Sequence, residues 1–242
     1  MRRINRWAVR AALILLIISG IGFWQFGRSI WVPVYFRIVG RRTVEDVIGL
    51  YGSKVDAKLQ PLFARVGVQY PPAGLTLIGL KEEKRLEVWA PVLDKWIFIT
   101  DYPISGTSGK TGPKLREGDG QVPEGMYGIT GLNPNSSYHL SLKIDYPNSF
   151  DREKANKEKR RNPGGNIFIH GKNASIGCLA MGDDTIEELF VLAHKVGCSN
   201  IQVLIAPMDL RIKPAPMISS PDWVAGLHTA IKSRLADFQR VK

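Results

Sequence analysis

Cysteine is scarce in this sequence, with only two among 242 residues, which excludes a small domain held together by a disulfide framework. Histidine is scarce as well. None of the four histidines forms a His-x3-His pair and no Cys-x2-Cys occurs, so the usual ligand spacings of a structural zinc site are missing. Intrinsic disorder is excluded because 44% of the residues are apolar. The chain can bury the core of one large domain, with or without an appendage.

Acidic residues are absent from the first 42 positions, which contain eight arginines. These arginines account for most of the formal net charge of +11, and residues 43–242 carry only +3. A second basic window, residues 151–161, holds six basic and three acidic residues and accounts for that remainder. A nucleic-acid-binding protein places its excess charge on a folded face, whereas most of the charge here flanks an apolar segment. We therefore expect no nucleic-acid partner.

A basic and apolar N-terminal region predicts membrane association. Four arginines precede the apolar run Ala11–Trp24, and a basic region followed by such a run is typical of a signal peptide or a signal anchor. Gly20-Ile21-Gly22 offers small residues for cleavage, but Phe23 and Trp24 match the aromatic belt of an uncleaved span. We expect residues 1–30 to comprise a short cytoplasmic stub and a single-pass transmembrane anchor, with the rest of the chain outside the cytoplasm.

The pattern after this region changes from helical to strand-like. A capping-box sequence at Thr43 is followed by apolar residues at helical spacing, which predicts a helix that begins after Thr43. Pro61 is expected to kink or divide this helix. From residue 75 onward, short apolar runs predict strands, and frequent glycine and proline predict long ordered loops between them. The predicted strands are Leu75–Leu80, Leu86–Ala90, Trp96–Asp101, Met126–Thr130, Tyr138–Tyr146, Asn166–His170 and Ile201–Ala206.

Two further helices complete the predicted elements. Asp184–Val196 begins at an acidic cap and ends at Gly197, and Pro221–Phe238 has Ser220 as its cap and proline at its first helical position. The predicted fold class is therefore α+β, with β dominant. The predicted divisions are the anchor region 1–30, a helical juxtamembrane segment 31–72, a sheet-based domain 73–211 and a C-terminal helix 212–242.

One pair of residues has the chemistry of a nucleophile and its base. The predicted strand that ends at His170 is followed by a tight turn and then by Ser175-Ile176-Gly177-Cys178. A cysteine reacts as its thiolate, a nearby histidine is the usual partner, and a strand–turn–strand can bring such positions together. Gly177 lacks a side chain, so the amides of Gly177 and Cys178 could face a developing oxyanion. The competing interpretation is a structural Cys178 beside a hydrogen-bonded His170.

These residues resemble the signature of the L,D-transpeptidases of the YkuD type, a histidine-glycine at a strand end followed by S-x-G-C with cysteine as nucleophile. The matching sequence here is IHGKNASIGCLAM at residues 169–181, and GPKLREGDGQVPEG, LNPNSSYHLSLKIDYP and VLIAPMDLR extend the resemblance over about residues 73–211. Many members have histidine and arginine in S-H-G-C-x-R, where this chain has Ile176 and Ala180. The short spacing from histidine to cysteine is similar to the branch that includes hydrolases of the bond between peptidoglycan and Braun's lipoprotein.

The resemblance implies a fold and a reaction. The fold is a mixed β-sandwich with flanking helices and the cysteine in an open groove. The reaction is attack of Cys178 on the carbonyl of a diaminopimelate in a peptidoglycan stem peptide, with His170 as acid and base and either a second stem amine or water as acceptor. No cofactor or metal is implied. The implied partners are peptidoglycan stem peptides and a cell-wall-linked lipoprotein, and the implied location is the bacterial inner membrane with the catalytic domain in the periplasm.

Candidate substrate-binding residues follow from the same resemblance. Diaminopimelate carries an additional carboxylate, so a cation is expected in the groove. Lys114, Arg116 and Arg211 lie in the resembling motifs, although each is equally explained as a solvated or structural charge. Ser175 and His139 are further candidates, and a hydrogen-bonded position within the sheet explains His139 equally well.

Two other functions stay open from the sequence. One is a noncatalytic, membrane-anchored module that binds cell-wall peptides through the same groove, with Cys178 buried and inert. Rapid labelling of Cys178 by a thiol reagent, but not of Cys198 after a predicted helix end, would favour the enzyme. The other is a zinc hydrolase that uses His139, His170 and Cys178, which metal analysis would test.

Overall fold

The computed structural model describes residues 6–217 and 221–240. The chain divides into two compact units, Met1–Arg42 and Thr43–Lys242. The predicted division at residue 72 falls inside the second unit, because the helix that precedes it contributes side chains to the core of that unit. Ser220, the predicted cap of the last helix, lies outside the described residues.

The first unit consists of two helices, α1 (Arg6–Phe26) and α2 (Arg28–Val39). The rings of Trp24 and Trp31 stack at a centroid distance of 4.4 Å across the break between them. The Trp31 indole N–H also donates a hydrogen bond to the Trp24 carbonyl at 3.3 Å. These contacts link the end of the first helix to the first turn of the second.

The two helices were compared with the length and composition of a membrane span. Within the described residues, no single helix is long and apolar enough to cross a membrane. The segments Val9–Trp24 and Arg28–Val39 satisfy the length and composition only as a pair, and they are bent by 75° at the break. The large apolar side chains along the middle of α1, such as Leu15 and Leu16, are exposed.

The second unit begins with α3 (Val44–Arg65), whose start is determined by local sequence. Thr43 Oγ1 accepts a hydrogen bond from the Asp46 N–H at 3.1 Å, and the Asp46 carboxylate accepts one from the Thr43 N–H at 2.7 Å. The predicted capping box is therefore confirmed. An apolar face that includes Leu59 is buried in the core. Of the two expected effects of Pro61, division of the helix does not occur, since the helix continues to Arg65 and proline removes only one of its hydrogen bonds.

The second unit contains a mixed sheet of eight strands. The strands are β1 (Leu75–Leu80), β2 (Arg85–Val92), β3 (Lys95–Pro103), β4 (Gly125–Ser136), β5 (His139–Ile144), β6 (Phe168–His170), β7 (Leu179–Ala180) and β8 (Ile201–Ala206). Their spatial order is β3-β2-β1-β8-β4-β5-β6-β7. The pairs β1–β8 and β6–β7 are parallel, and the other neighbours are antiparallel. The predicted mixed sheet is confirmed.

The long strand β4 is shared between the two halves of this sheet. Its first part, Gly125–Gly128, pairs with β8, whereas residues from Ile129 onward pair with β5. The register shifts between Ile129 and Gly131, and such irregularities bend a strand. The halves enclose one core, since a Cβ on Gly79 of β1 would lie 3.5 Å from a methyl group of Leu179 of β7. The expected β-sandwich is thus one continuous sheet folded on itself through β4.

Both faces of the central strands are covered by helices. In β1, Leu77 belongs to the main core together with α5 (Asp183–Val196), whereas Ile78 belongs to a second cluster under α6 (Trp223–Leu235). Successive side chains alternate between the faces, so a strand that is covered on both sides has a continuous apolar sequence. This explains why the predicted bounds of β1 and β8 match the observed ones.

The sequence pattern does not predict α4 (Ser149–Lys157), β7 or the short 3-10 helix Cys198–Asn200. In α4 only Asp151 and Ala155 are buried, so no apolar periodicity marks it. Its start depends instead on a capping box between Asn148 and Asp151. The strand β7 has two residues, which is too short for a recognisable alternation.

Candidate active site

The register of β6 and β7 brings the two predicted catalytic residues to one groove. In this parallel pair Ile169 lies beside Leu179, and both side chains are buried in the core. Side chains alternate along a strand, so His170 at the end of β6 faces the opposite side, and Cys178 lies in the bend that directly precedes β7. Both residues line the same groove. The sheet therefore provides the proximity that the sequence only suggested.

The groove has a volume of about 310 Å³, and its lining combines apolar surface with hydroxyl and amide groups. The lining residues are Asn133, Ser136, Ser137, Tyr138, Ser141, Asn166, Phe168, His170, Ala174, Ser175, Ile176 and Cys178. No lysine, arginine, aspartate or glutamate is among these described residues. Hydroxyl and amide groups are therefore the side chains that can orient a bound ligand here, and the expected cation is not on the wall.

His170 is buried and held by main-chain and ring contacts. Its Nδ1 lies 2.6 Å from the Gly171 carbonyl, and because a carbonyl only accepts, we assign the proton to Nδ1 and the lone pair to Nε2. The ring of Tyr138 lies 4.6 Å away. Burial lowers the pKa of His170 below its usual 6.5, although the hydrogen bond to Gly171 opposes this effect. The imidazole is accordingly neutral at neutral pH and can act as a base.

Cys178 is half-buried and its thiol is neutral. Its Sγ is 3.9 Å from the Asn166 carbonyl oxygen, which accepts the weak S–H hydrogen bond. Burial raises the pKa of the thiol above its usual 9.0, whereas a main-chain hydrogen bond at Phe168 and the charge of Lys114 lower it by less. No hydrogen bond joins His170 to Cys178 in the described part of the chain. The resting pair is therefore a neutral thiol and a neutral imidazole.

The two predicted oxyanion donors already have acceptors. The Gly177 N–H donates to Ser108 Oγ at 2.7 Å, and the Cys178 N–H donates to Ser175 Oγ at 3.0 Å. Gly177 has φ of +86°, a left-handed conformation that favours glycine. Ser175 Oγ donates in turn to the Cys178 carbonyl at 2.7 Å. Ser175, a predicted substrate ligand, thus mainly holds the turn that carries the nucleophile.

The long loop between β3 and β4 covers residues 175–178, which we call the nucleophile turn. Gly106 and Ala180 exchange main-chain hydrogen bonds of 3.1 and 2.9 Å, which attach this loop to β7. Ser108 strengthens the attachment, because its hydroxyl also donates to the Gly120 carbonyl at 2.7 Å. We call residues 104–124 the covering loop.

A buried charge network fixes the far end of the covering loop. Lys81 Nζ donates to the Gly112 and Val122 carbonyls at 2.8 and 2.9 Å and to the Glu124 carboxylate at 2.9 Å. Glu124 also bonds His228 Nε2 of α6 at 2.8 Å. Burial lowers the pKa of Lys81, and although burial acts to raise the pKa of Glu124, hydrogen bonds from His228 and Lys81 lower it overall. The network ties loop, sheet and helix together.

Lys114 and Arg116, two predicted carboxylate ligands, lie in the covering loop but outside the groove lining. Lys114 is buried, and its Nζ donates to Asp119 at 2.7 Å and to the Arg116 carbonyl at 3.0 Å. Arg116 is exposed, and its main-chain N–H bonds the same carboxylate at 3.0 Å. Lys114 therefore acts on the site only through its charge near Cys178.

Arg211 is committed to a structural role away from the groove. Its guanidinium bonds Asp209 at 2.7 Å, Glu87 at 3.0 Å and the Phe238 carbonyl at 3.1 Å. These partners come from β2 and from the chain segments that flank α6. Arg211 was predicted to contact substrate, but in the structure it forms partly buried ion pairs that join these segments.

His139 interacts with a carboxylate of α5 and does not line the groove. Its Nε2 lies 2.9 Å from a Glu187 carboxylate oxygen of α5, and its ring makes an edge contact with Tyr51 of α3 at 5.8 Å. Lys54 of α3 lies 3.5 Å from the same carboxylate. His139 therefore links β5 to two helices and is outside the groove lining. Across residues 6–217 and 221–240, no group of three or more His, Cys, Asp or Glu side chains could hold a metal ion.

Three residues of the site were missed by sequence reasoning: Ser108, Tyr138 and Asn166. Ser108 contacts the nucleophile turn from 69 positions away, and the sequence contains no signal for such a pairing. Tyr138 belongs to the motif LNPNSSYHLSLKIDYP, which gave no reason to choose it. Asn166 has φ of +53°, and asparagine after two glycines was the available signal for a left-handed position.

The chain is similar to proteins of one known family. Residues 92–203 match the YkuD family, described as the L,D-transpeptidase catalytic domain. The chain is 35% identical over 135 residues to the Escherichia coli (strain K12) protein named "Putative L,D-transpeptidase YafK", and the match covers 54% of this chain and 52% of that protein. The chain thus spans about half the length of the curated relative that it matches.

Some solved structures are similar to this chain at low sequence identity. The helical cell shape determining protein Pgp2 from Campylobacter jejuni has 21% identity and a TM-score of 0.47, over 62% of this chain and 55% of that one. Bd1075 from Bdellovibrio bacteriovorus has 21% identity and a TM-score of 0.43, over 68% of this chain and 55% of that one.

Proposed function

We propose that this chain, in which residues 92–203 match the YkuD L,D-transpeptidase catalytic domain, is a cysteine-dependent enzyme that modifies peptidoglycan stem peptides. One observation carries the proposal. His170 ends β6, Cys178 directly precedes the neighbouring strand β7, and both residues line one groove. The neutral His170 with its lone pair at Nε2 is the form that a general base needs.

The first half of the reaction forms an acyl-enzyme. Substrate in the groove brings the thiol and the imidazole together, and Nε2 of His170 takes the S–H proton as Sγ of Cys178 bonds to the acyl carbon. The acyl carbon is the carbonyl of a diaminopimelate, as the family resemblance implies. The tetrahedral intermediate collapses as its C–N bond breaks, and His170 returns the proton to the leaving amine. A thioester on Cys178 remains.

The second half releases the acyl group. An amine of a second stem peptide, or water, attacks the thioester carbon while Nε2 of His170 accepts a proton from the attacking group. The C–S bond then breaks and the proton returns to Sγ, which restores the thiol. Amine attack gives a cross-link, and water attack gives hydrolysis. The open groove leaves room for either acceptor, including an amine on a cell-wall-linked lipoprotein.

Intact-protein mass spectrometry tests this proposal directly. Purified protein is mixed with a defined stem peptide that contains diaminopimelate, quenched in acid and weighed. We expect an adduct with the mass of the acyl group in wild type and in Cys198→Ala, and no adduct in Cys178→Ala. An adduct that persists in Cys178→Ala would contradict the assignment of Cys178 as the nucleophile. Absence of both adduct and product with wild type would contradict the proposal that the protein is an enzyme.

We also propose that the first unit attaches the enzyme to the bacterial inner membrane, with the catalytic domain on the periplasmic side. The exposed apolar side chains along α1 support this proposal, because such a surface is stable only against an apolar partner or a bilayer. The basic residues that flank it, and the lack of acidic ones, suit a lipid surface with anionic headgroups.

A noncatalytic peptide-binding module is the second candidate. The raised pKa of Cys178 and the missing hydrogen bond to His170 favour it over an enzyme with a preformed thiolate. The two candidates make opposite predictions for the mass experiment above. A module would bind the stem peptide, with a measurable dissociation constant, and would never carry an acyl group on Cys178.

A further inference from the structure

A left-handed asparagine borders the nucleophile. Asn166 has φ of +53°, in a region where asparagine is among the few tolerated residues other than glycine. Its carbonyl oxygen lies 3.9 Å from Cys178 Sγ. The residue is exposed and belongs to the groove wall. Residues in rare backbone conformations often serve a site rather than the fold.

The acyl group on Cys178 needs a hydrogen-bond donor, and two N–H groups of the nucleophile turn already have acceptors. The N–H groups of Gly177 and Cys178 are used by Ser108 and Ser175. Breaking either bond would leave a hydroxyl without its donor and would loosen the turn. A side chain on the groove wall is therefore the better source of a donor.

Asn166 is better placed than the other groove asparagine. Asn133 pairs with Ser141, which pairs with His170, so two strand spacings, roughly 10 Å, separate Asn133 from His170. In contrast, Asn166 touches Sγ through its own main chain. The Asn166 side-chain amide makes no hydrogen bond to any of the residues that the structure describes, so it can bind a ligand without breaking a contact.

We propose that the Asn166 side-chain amide donates a hydrogen bond to the acyl carbonyl oxygen as Cys178 attacks it. The inference rests on the proposed function, because it requires an acyl group at Sγ. Negative charge grows on this oxygen in the transition state, so a donor held near it lowers the barrier more than it strengthens substrate binding. Asn166 is thus a catalytic residue in addition to Cys178 and His170.

Asn166→Gly is the decisive variant, because glycine accepts the left-handed backbone and removes only the side chain. We expect kcat for acyl transfer to fall by about 100-fold with little change in KM, as for loss of one oxyanion donor in other enzymes. Asn166→Asp keeps the shape without the N–H donors, and its loss should be at least as large. Leu93→Gly is the matched control, since Leu93 also has a positive φ of 52° and is fully exposed in a distant turn.

A second measurement separates this role from positioning of the thiol. Alkylation of Cys178 by iodoacetamide forms no oxyanion, so its rate should be the same in wild type and Asn166→Gly. Full acyl-transfer activity in Asn166→Gly would overturn the inference and leave the proposed function intact. Equal losses in acyl transfer and alkylation would also overturn it, because Asn166 would then act on the thiol alone. Wild type without any acyl-enzyme would overturn the proposed function, and this inference with it.

Discussion

The Gly177 N–H donates a hydrogen bond to Ser108 Oγ at 2.7 Å, although the two residues are 69 positions apart. The same hydroxyl donates to the Gly120 carbonyl, so one side chain connects both ends of the covering loop to the turn before the nucleophile. The conformation of Cys178 therefore depends on a loop outside the His-Gly and S-x-G-C motifs.

Replacement of Ser108 by alanine should loosen this turn. The Gly177 N–H would lose its acceptor, which costs about 1 kcal/mol of folding free energy, and acyl transfer should fall because Cys178 is less well placed. Urea denaturation and kcat/KM measure the two effects. Ser105→Ala, in the same loop, is the control. Wild-type kcat/KM in Ser108→Ala would show that the turn holds its shape without this hydrogen bond.

The pH profiles of acyl transfer and of alkylation should differ. General-base catalysis needs neutral His170, whose pKa burial lowers below 6.5, so kcat/KM should rise with pH and reach its plateau by about neutral pH. Iodoacetamide needs the free thiolate of Cys178, whose pKa burial raises above 9.0, so alkylation should still be rising above pH 9. Profiles that coincide would instead indicate a preformed thiolate–imidazolium pair.

Loss of Lys81 should be strongly destabilising. Lys81→Met leaves the buried Glu124 carboxylate and two carbonyl groups without their main partner, and breaking a buried pair typically costs 3–5 kcal/mol, here taken as about 4. Lys213→Met is the control, because Lys213 pairs with Glu82 and Glu83 at the surface, where a pair contributes about 1 kcal/mol or less. Similar losses of unfolding free energy in the two variants would contradict a structural role for the buried network.

Ala180→Arg should not turn this chain into an efficient cross-linking enzyme. Ala180 is fully buried, and its Cβ would be 3.4 Å from a Cβ on Gly106 of the covering loop. An arginine there displaces the loop, so activity and melting temperature should both fall. The ratio of cross-linked dimer to hydrolysed product, measured at fixed acceptor concentration, checks this. A stable variant with a raised dimer yield would show that the loop can move aside.

The first unit should hold the protein in the membrane fraction. Salt at 1 M screens attachment through basic residues but does not release an apolar segment. We therefore expect detergent, and not salt, to extract the protein, and we expect the N-terminal sequence to begin at Met1 or Arg2. Soluble protein that begins at Phe23 would show that the segment is a removed signal.

Local sequence was sufficient for several features of this protein. The capping box at Thr43 and Asp46 involves neighbours along the chain, so its residues alone predict where α3 begins. The continuous apolar runs of β1 and β8 predict strands because both faces of these strands are covered. The histidine-glycine and S-x-G-C motifs were enough to select His170 and Cys178 as candidates, since their chemical types and spacing are local properties.

The roles of the charged and hydroxyl side chains depend on contacts between segments that are distant in the sequence. Arg211 was a candidate substrate ligand, yet it pairs with Glu87, which is 124 positions away. Such pairings cannot be predicted from the sequence, because the strand order brings distant segments together. The ion pair that forms then depends on which carboxylate lies at the right distance and angle from the guanidinium group. For the same reason, local sequence does not predict that Ser108 accepts the hydrogen bond from the Gly177 N–H. This bond forms because the covering loop is attached to β7.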